Sequence, residues 1–201
     1  MAHCLSCYSY VIQESTVCAS CQQNRSNLWV VKDLPDTYGF TKREWNFRYK
    51  MIKGKIAETL IEQLFLSHKY MVYRYGMEYT MPGFAESMKG IKNEVTSRVK
   101  NMPDFVVQHR LYKETHFVEV KFRANGCFSE EDLDKDYPYD EALIIVVSKK
   151  HIKCLSVREL RDGRGITPHC DNYLAYRPEF QLRSDVVIDF CRFAETFFEA
   201  V

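Results

Sequence analysis

The stretch FVEVKFR, residues 117–123, constrains the fold most strongly, because charged and apolar residues alternate along it. Successive side chains of a β-strand point to opposite faces, so Glu119 and Lys121 share one face while Val118, Val120 and Phe122 share the other. A solvent-exposed strand with an ion pair on one face explains the pattern, and such a pair contributes at most about 1 kcal/mol. A strand that presents two charges at a functional site explains it equally well. The stretch alone leaves both interpretations open.

The composition indicates a globular intracellular protein. The 201 residues are 46% hydrophobic and 27% charged, which suits one core of about 150 residues with a small appendage. The longest clear apolar run is ALIIVV at 142–147, far short of the roughly 20 residues that a membrane span needs. The first residues, MAHCLSCYSY, lack the basic and apolar regions of a secretory signal. We therefore expect a cytoplasmic protein with no membrane partner.

Four cysteines near the start of the chain have the spacing C-x2-C-x10-C-x2-C. They are Cys4, Cys7, Cys18 and Cys21. Two such pairs are typical of a tetrahedral four-sulfur shell around a structural Zn²⁺, and a redox dithiol is the alternative. A segment of this size buries too little surface to fold alone, so metal binding would supply its folding free energy. We predict a zinc ribbon over residues 1–27, with no coordination position left open for catalysis.

The other cysteines show no ligand spacing. They are Cys127, Cys154, Cys170 and Cys191. In a reducing compartment a disulfide framework is not expected. Buried or free thiols are therefore favoured over a second metal site.

After a connector at residues 28–41, the pattern predicts a mixed α/β domain over residues 42–201. Helical spacing begins at TKREW and continues to about residue 70. Strands are predicted in YMVYRYGMEYT, DFVVQH, HFVEVKFR, EALIIVVSKK and IKCLSVREL, and the second and third should form an antiparallel hairpin. A loop or short helix is expected over residues 89–101. Two further helices are predicted, one at SEEDLDKDY, capped by Ser129 and Asp132, and one after Ser184.

Charge is distributed unevenly along the chain, although the net charge is only +1. Residues 130–141 hold seven Asp or Glu against one Lys and are expected to form a solvated face. Residues 42–55 hold six basic residues against one Glu, and they are Lys42, Arg43, Arg48, Lys50, Lys53 and Lys55. Such a segment suits the phosphates of a nucleic acid. Trp45, Phe47 and Tyr49 lie among them and either stack on bases or belong to the core.

Three carboxylates are expected to converge beside Lys121. A hairpin would place Asp104, at the start of its first strand, next to Glu119, and Glu58 lies on the preceding helix. Clustered carboxylates repel one another, and a hard divalent cation turns the same cluster into a binding site. Such sites hold a metal ion against a phosphate group. Glu62, one turn after Glu58, is expected on a solvated helix face.

This constellation resembles the PD-(D/E)xK nuclease superfamily, whose fold is called restriction-endonuclease-like. The resemblance covers roughly residues 50–191 and is carried by Glu58, by Pro103 and Asp104, and by the triplet at 119–121. It implies a mixed central sheet flanked by helices. It also implies hydrolysis of phosphodiester bonds with Mg²⁺ or Mn²⁺, most simply by an endonuclease.

The resemblance also implies roles for individual residues. Asp104 and Glu119 would bind the metal ion, the Val120 carbonyl would complete its shell, and Glu58 would be an additional or supporting ligand. Lys121 would orient or activate the attacking water and stabilise developing negative charge. DNA is favoured over RNA by the superfamily alone, and the zinc module would bind nucleic acid or a protein partner. The oligomeric state stays open, a homodimer included.

Two alternatives from other functional classes are a nucleic-acid adaptor on a nuclease-like fold that no longer cuts, and a protein-interaction domain with a solvated charged strand.

Overall fold

The computed structural model describes residues 2–3, 10–11 and 40–199, except residues 82, 89 and 92. Contacts divide the chain into two units, Met1–Asn46 and Phe47–Val201. In the first unit, strands β1 (Ala2–His3) and β2 (Tyr10–Val11) pair antiparallel. The four cysteines of the predicted zinc ribbon, and the connector up to residue 39, lie outside the described residues. The zinc ribbon therefore stays a prediction.

Helix α1 (Lys42–Ser67) begins at a capping box and carries one apolar stripe. The Thr41 hydroxyl accepts a hydrogen bond from the Glu44 amide at 3.2 Å, and the Glu44 carboxylate accepts from the Thr41 amide at 2.8 Å. Ala57, Ile61 and Leu64 recur at helical spacing and are fully buried. The helix predicted from the sequence is therefore confirmed.

Five strands form the main sheet in the order β3-β4-β5-β6-β7. Their bounds are Tyr70–Arg74, Phe105–His109, Thr115–Phe122, Leu143–Val147 and Ile152–Ser156. The pair β5 and β6 is parallel, and every other neighbouring pair is antiparallel. The predicted hairpin is confirmed as β4 and β5, with Phe105 opposite Val118. The sheet is mixed, and β5 lies at its centre.

Shorter elements connect these strands. They are helices α2 (Met77–Thr80), α3 (Phe84–Ser87), α4 (Glu94–Lys100) and α5 (Val157–Arg161), the C-terminal helix α6 (Ser184–Glu199), and 3₁₀ turns at Glu130–Asp132 and Leu174–Tyr176. Helix α4 occupies the segment expected to be a loop or short helix, and α6 begins at the predicted Ser184.

Three predicted boundaries are wrong for local reasons. The strand predicted over residues 70–80 ends at Arg74, and the next two backbone amides donate to the Asp104 carbonyl before α2 begins. The helix predicted over residues 129–137 is only a 3₁₀ turn, although its Ser129–Asp132 capping box is present. The last predicted strand ends at Ser156, which caps α5.

The two faces of the sheet pack against different elements. One face, which includes Val118 and Val120, packs against α1 and α6. The other face, which includes Ile144 and Val146, packs against the segment after β5 and against α5. The mixed α/β class with helices flanking the sheet is therefore confirmed. Within the described residues, no helix combines the length and the apolarity needed to cross a bilayer.

Candidate active site

Asp104 is fixed to three strands at once. It directly precedes β4, and its carbonyl oxygen accepts a hydrogen bond from the Tyr75 amide, just after β3, at 2.9 Å. Its carboxylate oxygen Oδ2 accepts from the Val120 amide of β5 at 2.7 Å. The two sequence segments that carried the resemblance are therefore joined by a direct hydrogen bond.

Glu119 and Lys121 lie on one face of β5 and form an ion pair. The residue Glu119 is only 8% exposed, and the Lys121 side chain is about one-third exposed. The solvent-exposed interpretation of this strand is therefore wrong. Removing a charged pair from water is costly, so this pair is weak evidence for stability and better evidence for a function.

Glu58 lies in a group of three converging carboxylates, of which the sequence analysis predicted two. Glu58 is 9% exposed on α1, and its partner Glu78 lies on α2. One oxygen from each of Glu58, Glu78 and Asp104 lies within 4.8 Å of the others. We call Glu58, Glu78, Asp104 and Glu119 the carboxylate cluster. Glu78 lies on a four-residue helix with no periodic pattern, so nothing in the sequence indicated it.

Lys55 supplies a cation to this cluster. Its ammonium donates to Glu58 Oε2 at 2.8 Å and to Glu78 Oε1 at 2.6 Å. Burial alone would lower the pKa of Lys55, but the bonds to these two carboxylates outweigh it and raise that pKa. Lys55 therefore stays charged and neutralises part of the cluster. It was expected instead to contact the phosphates of a nucleic acid.

Burial and mutual repulsion raise the pKa values of Asp104 and Glu119. Burial raises the pKa of Asp104 well above its usual range, and the charges of Glu119 and Glu58 raise it further. Burial also raises the pKa of Glu119, against the opposing charge of Lys121. The two carboxyls therefore hold protons more tightly than solvated ones do. A divalent cation would favour their ionised forms and displace those protons.

The donor set suits a hard cation. The cluster offers carboxylate oxygens only, the ligands that Mg²⁺ and Mn²⁺ prefer. The three converging residues include the predicted Asp104 and Glu58, add Glu78, and do not include Glu119, which pairs with Lys121. The Val120 amide donates to Asp104, and the expected role of the Val120 carbonyl as a metal ligand stays a prediction.

Glu62 lies outside the cluster. Its carboxylate forms a two-point ion pair with the Arg74 guanidinium of β3, one bond of which is 3.1 Å long. Only 16% of the Glu62 side chain is exposed. The expectation of a solvated helix face is therefore wrong at this position.

The basic residues of α1 have different surroundings. Lys42, Arg43, Arg48 and Lys50 are exposed. The Lys53 ammonium lies 4.2 Å from the centre of the Tyr49 ring. Phe47 is 64% exposed, so a place in the core is wrong for this residue.

The cysteines without ligand spacing are buried or free thiols, as predicted. Cys127, Cys154, Cys170 and Cys191 are free, and Cys154 is buried. In the part of the chain that the structure describes, the carboxylate cluster holds the one group of three His, Cys, Asp or Glu side chains whose ligand atoms converge.

No protein-family model, no curated protein and no solved structure matches this chain. A function is therefore inferred from the chemistry of the carboxylate cluster and its lysines.

Proposed function

We propose that this chain is a PD-(D/E)xK nuclease that hydrolyses phosphodiester bonds of nucleic acid with Mg²⁺ or Mn²⁺. One observation carries the proposal. Oxygens of Glu58, Glu78 and Asp104 converge within 4.8 Å. Asp104 accepts a hydrogen bond from the Val120 amide, between the residues of the Glu119–Lys121 ion pair. Sites of this composition hold a metal ion against a phosphate.

The order of elements supports a restriction-endonuclease-like core. Helix α1 is followed by three antiparallel strands, β3 to β5, and then by β6, parallel to β5. The helix that the resemblance implies between β5 and β6 is reduced to a 3₁₀ turn. The site lies where β4 begins, against the central strand β5.

Asp104, Glu58 and Glu78 are the residues that would hold the metal ion, with Glu119 beside them. When bound, such an ion polarises the phosphate and lowers the pKa of water. The protein residues fix its position: the Val120 amide holds Asp104, and Lys121 holds Glu119. This anchoring limits the rearrangement that substrate binding would otherwise require.

Lys121 would act as a cation rather than as a base. Burial alone would lower its pKa, but the charge of Glu119 and the hydrogen bond to it outweigh burial and raise that pKa. A lysine that stays protonated cannot remove a proton from water. It can donate to a phosphate oxygen and stabilise the negative charge that develops there.

The remaining parts of the chain would position the substrate. The exposed basic residues of α1 and the exposed Phe47 ring suit phosphates and bases respectively. The four-cysteine segment would be a zinc ribbon that binds nucleic acid or a protein partner. Protein purified without added zinc would then contain about one sulfur-coordinated Zn²⁺ per chain. DNA is the favoured substrate because the superfamily acts mostly on DNA.

Incubation of the full chain with plasmid DNA, single-stranded DNA and RNA tests the proposal. We expect cleavage of a DNA substrate with Mg²⁺ or Mn²⁺ and none with a chelator. Binding without cleavage under every metal condition would favour the non-cutting adaptor instead. Neither binding nor cleavage would favour a protein-interaction domain.

A further inference from the structure

Tyr137 carries a buried hydroxyl without a hydrogen-bond partner. The residue is 4% exposed, and its hydroxyl oxygen is buried with no donor or acceptor in reach among the described residues. Buried polar groups in folded proteins are nearly always paired, because an unpaired one loses its bonds to water without compensation. A group that is unpaired in the free protein is a candidate for pairing with a ligand.

The position of Tyr137 connects it to the charged face of β5. Tyr137 packs in one cluster with Ile144 and Val146 of β6, which lie opposite Glu119 and Lys121 in the parallel pairing. Opposite residues on neighbouring strands share a face of the sheet. Tyr137 therefore packs on the face that carries the ion pair.

Ring contacts connect Tyr137 to β5, and the charges of Glu119 and Asp104 act on its hydroxyl. The Tyr137 ring lies 5.8 Å from that of Tyr139, which lies 5.3 Å from that of Phe117, two residues before Glu119. Burial raises the pKa of Tyr137, and the charges of Glu119 and Asp104 raise it further. The hydroxyl therefore stays protonated and can donate.

Tyr137 also contributes to the wall of a cleft. Tyr137 lines a cleft of about 830 Å³ between α4 and the segment 134–140. The lining of the cleft holds four basic and four acidic residues, which are Arg98, Lys100, Lys135, Arg161, Glu94, Asp134, Asp136 and Asp140. Arg98 pairs with Glu94, and Arg161 pairs with Asp140. Tyr137 belongs both to the lining of this cleft and to the face of the sheet that carries the Glu119–Lys121 ion pair.

We infer that the Tyr137 hydroxyl donates a hydrogen bond to a non-bridging oxygen of the phosphodiester that is bound at the carboxylate cluster. The inference rests on the proposed nuclease function and adds a catalytic residue to it. A donor fixed in a dry site stabilises the charge that develops on phosphate more than it stabilises the bound substrate. Its contribution should therefore appear in the rate of cleavage rather than in affinity.

Tyr139 provides a matched control two residues away. Its hydroxyl already donates to the Arg98 carbonyl at 3.1 Å, so it has a partner inside the fold. Loss of that hydroxyl removes an internal hydrogen bond, whereas loss of the Tyr137 hydroxyl removes none. Tyr137→Phe and Tyr139→Phe make the same chemical change in these two settings.

The experiment compares single-turnover cleavage, substrate affinity in chelator and thermal unfolding of the full chain and both variants. Tyr137→Phe should slow cleavage roughly 10- to 100-fold and keep substrate affinity within about twofold. Its melting temperature should be unchanged or higher. Tyr139→Phe should cut at close to the wild-type rate and melt at a lower temperature.

Sulfur substitution identifies the acceptor. Sulfur is a poor hydrogen-bond acceptor, so a phosphorothioate with sulfur at the contacted oxygen should slow the wild-type protein more than it slows Tyr137→Phe. The thio effect and the Tyr137→Phe effect should be non-additive, because both remove the same bond.

Two results would overturn the inference while leaving the nuclease intact: wild-type cleavage by Tyr137→Phe, or a loss of melting temperature as large as that of Tyr139→Phe. The second result would show that the hydroxyl has a partner within the fold. Absence of cleavage by the wild-type chain itself would instead remove the proposed function and the inference together.

Discussion

Lys55 occupies the position of a counter-ion within the carboxylate cluster. Its ammonium bonds to both Glu58 and Glu78, two of the three residues whose oxygens converge. A divalent cation bound there would lie close to this positive charge. Two like charges about 4 Å apart repel by roughly 4 kcal/mol at an effective dielectric constant of 20. We therefore expect Lys55 to lower the affinity of the cluster for metal ions.

Replacement of this lysine should tighten metal binding. We expect Lys55→Met to raise the affinity of the full chain for Mn²⁺ by roughly tenfold, because it removes a competing positive charge. Isothermal titration with Mn²⁺ measures the change, and the exposed Lys50→Met on the same helix is the control. Unchanged or weaker binding by Lys55→Met would show that Lys55 holds the carboxylates in place rather than competing with the ion.

Without a bound metal ion, Asp104 should make the free energy of unfolding fall as the pH rises. Its pKa is raised in the folded protein, so the folded state keeps a proton that the unfolded chain releases above its usual pKa of roughly 3.9. Between the unfolded and the folded pKa, this carboxyl lowers the free energy of unfolding by up to about 1.4 kcal/mol per pH unit.

Denaturant unfolding in chelator across a pH series tests whether the free energy of unfolding falls as the pH rises. Asp104→Asn should flatten the fall relative to the wild type, and the exposed Asp189→Asn should not. Identical pH profiles for wild type and Asp104→Asn would contradict the raised pKa. Added Mg²⁺ should restore wild-type stability at high pH, because the ion replaces the proton.

Among single residues, the sequence predicts those whose role follows from residue type and from the pattern of their neighbours. Asp104, Glu119 and Lys121 follow from residue type and strand alternation, and the structure brings them together. Glu78 has no such signal, because α2 is too short to show a period. The Glu62–Arg74 pair joins residues on α1 and β3, and only the tertiary fold brings the two together.

Among the elements, the long and strongly patterned ones are predictable from sequence. Helix α1 repeats buried apolar residues from Ala57 to Phe65, and buried residues alternate along β4. Boundaries such as the end of β3 or the start of α5 depend on single hydrogen bonds and caps. The parallel pairing of β5 with β6 depends on the whole connection between them, so it had no local signal.

Strand β7 has an unusual buried lysine that fixes a loop. Lys153 is 3% exposed, and its ammonium donates to the carbonyls of Thr167, Pro168 and Cys170 at 2.7–2.9 Å. Lys153→Met would leave three carbonyls without this donor. We expect a loss of roughly 2–4 kcal/mol in the free energy of unfolding.

Denaturant unfolding measures this loss, and the exposed Lys150→Met is the control. A loss below about 0.5 kcal/mol for Lys153→Met would mean that water replaces the ammonium without penalty.

The whole chain would join a nuclease domain to an accessory zinc module over residues 1–27. If the zinc module binds phosphates, its removal should weaken nucleic-acid binding and leave the carboxylate cluster complete. The dependence of log affinity on log salt should become shallower by about 0.7–0.9 for each lost contact. Affinity of the full chain and of residues 28–201 for one DNA duplex, at several salt concentrations, measures the slope. An unchanged affinity and slope would make a protein partner the better account of the module.

Asp104→Asn is the sharpest test of whether the carboxylate cluster cuts nucleic acid. Asparagine keeps an oxygen for the Val120 amide but removes the negative charge. With Mg²⁺, we expect at least about a hundredfold loss of cleavage by Asp104→Asn and full activity in the exposed Asp189→Asn control. In chelator, Asp104→Asn should unfold at or above the wild-type temperature, because it removes a buried charge that Glu119 and Glu58 repel. Cleavage by Asp104→Asn at more than a few per cent of the wild-type rate would contradict this role of the carboxylate cluster.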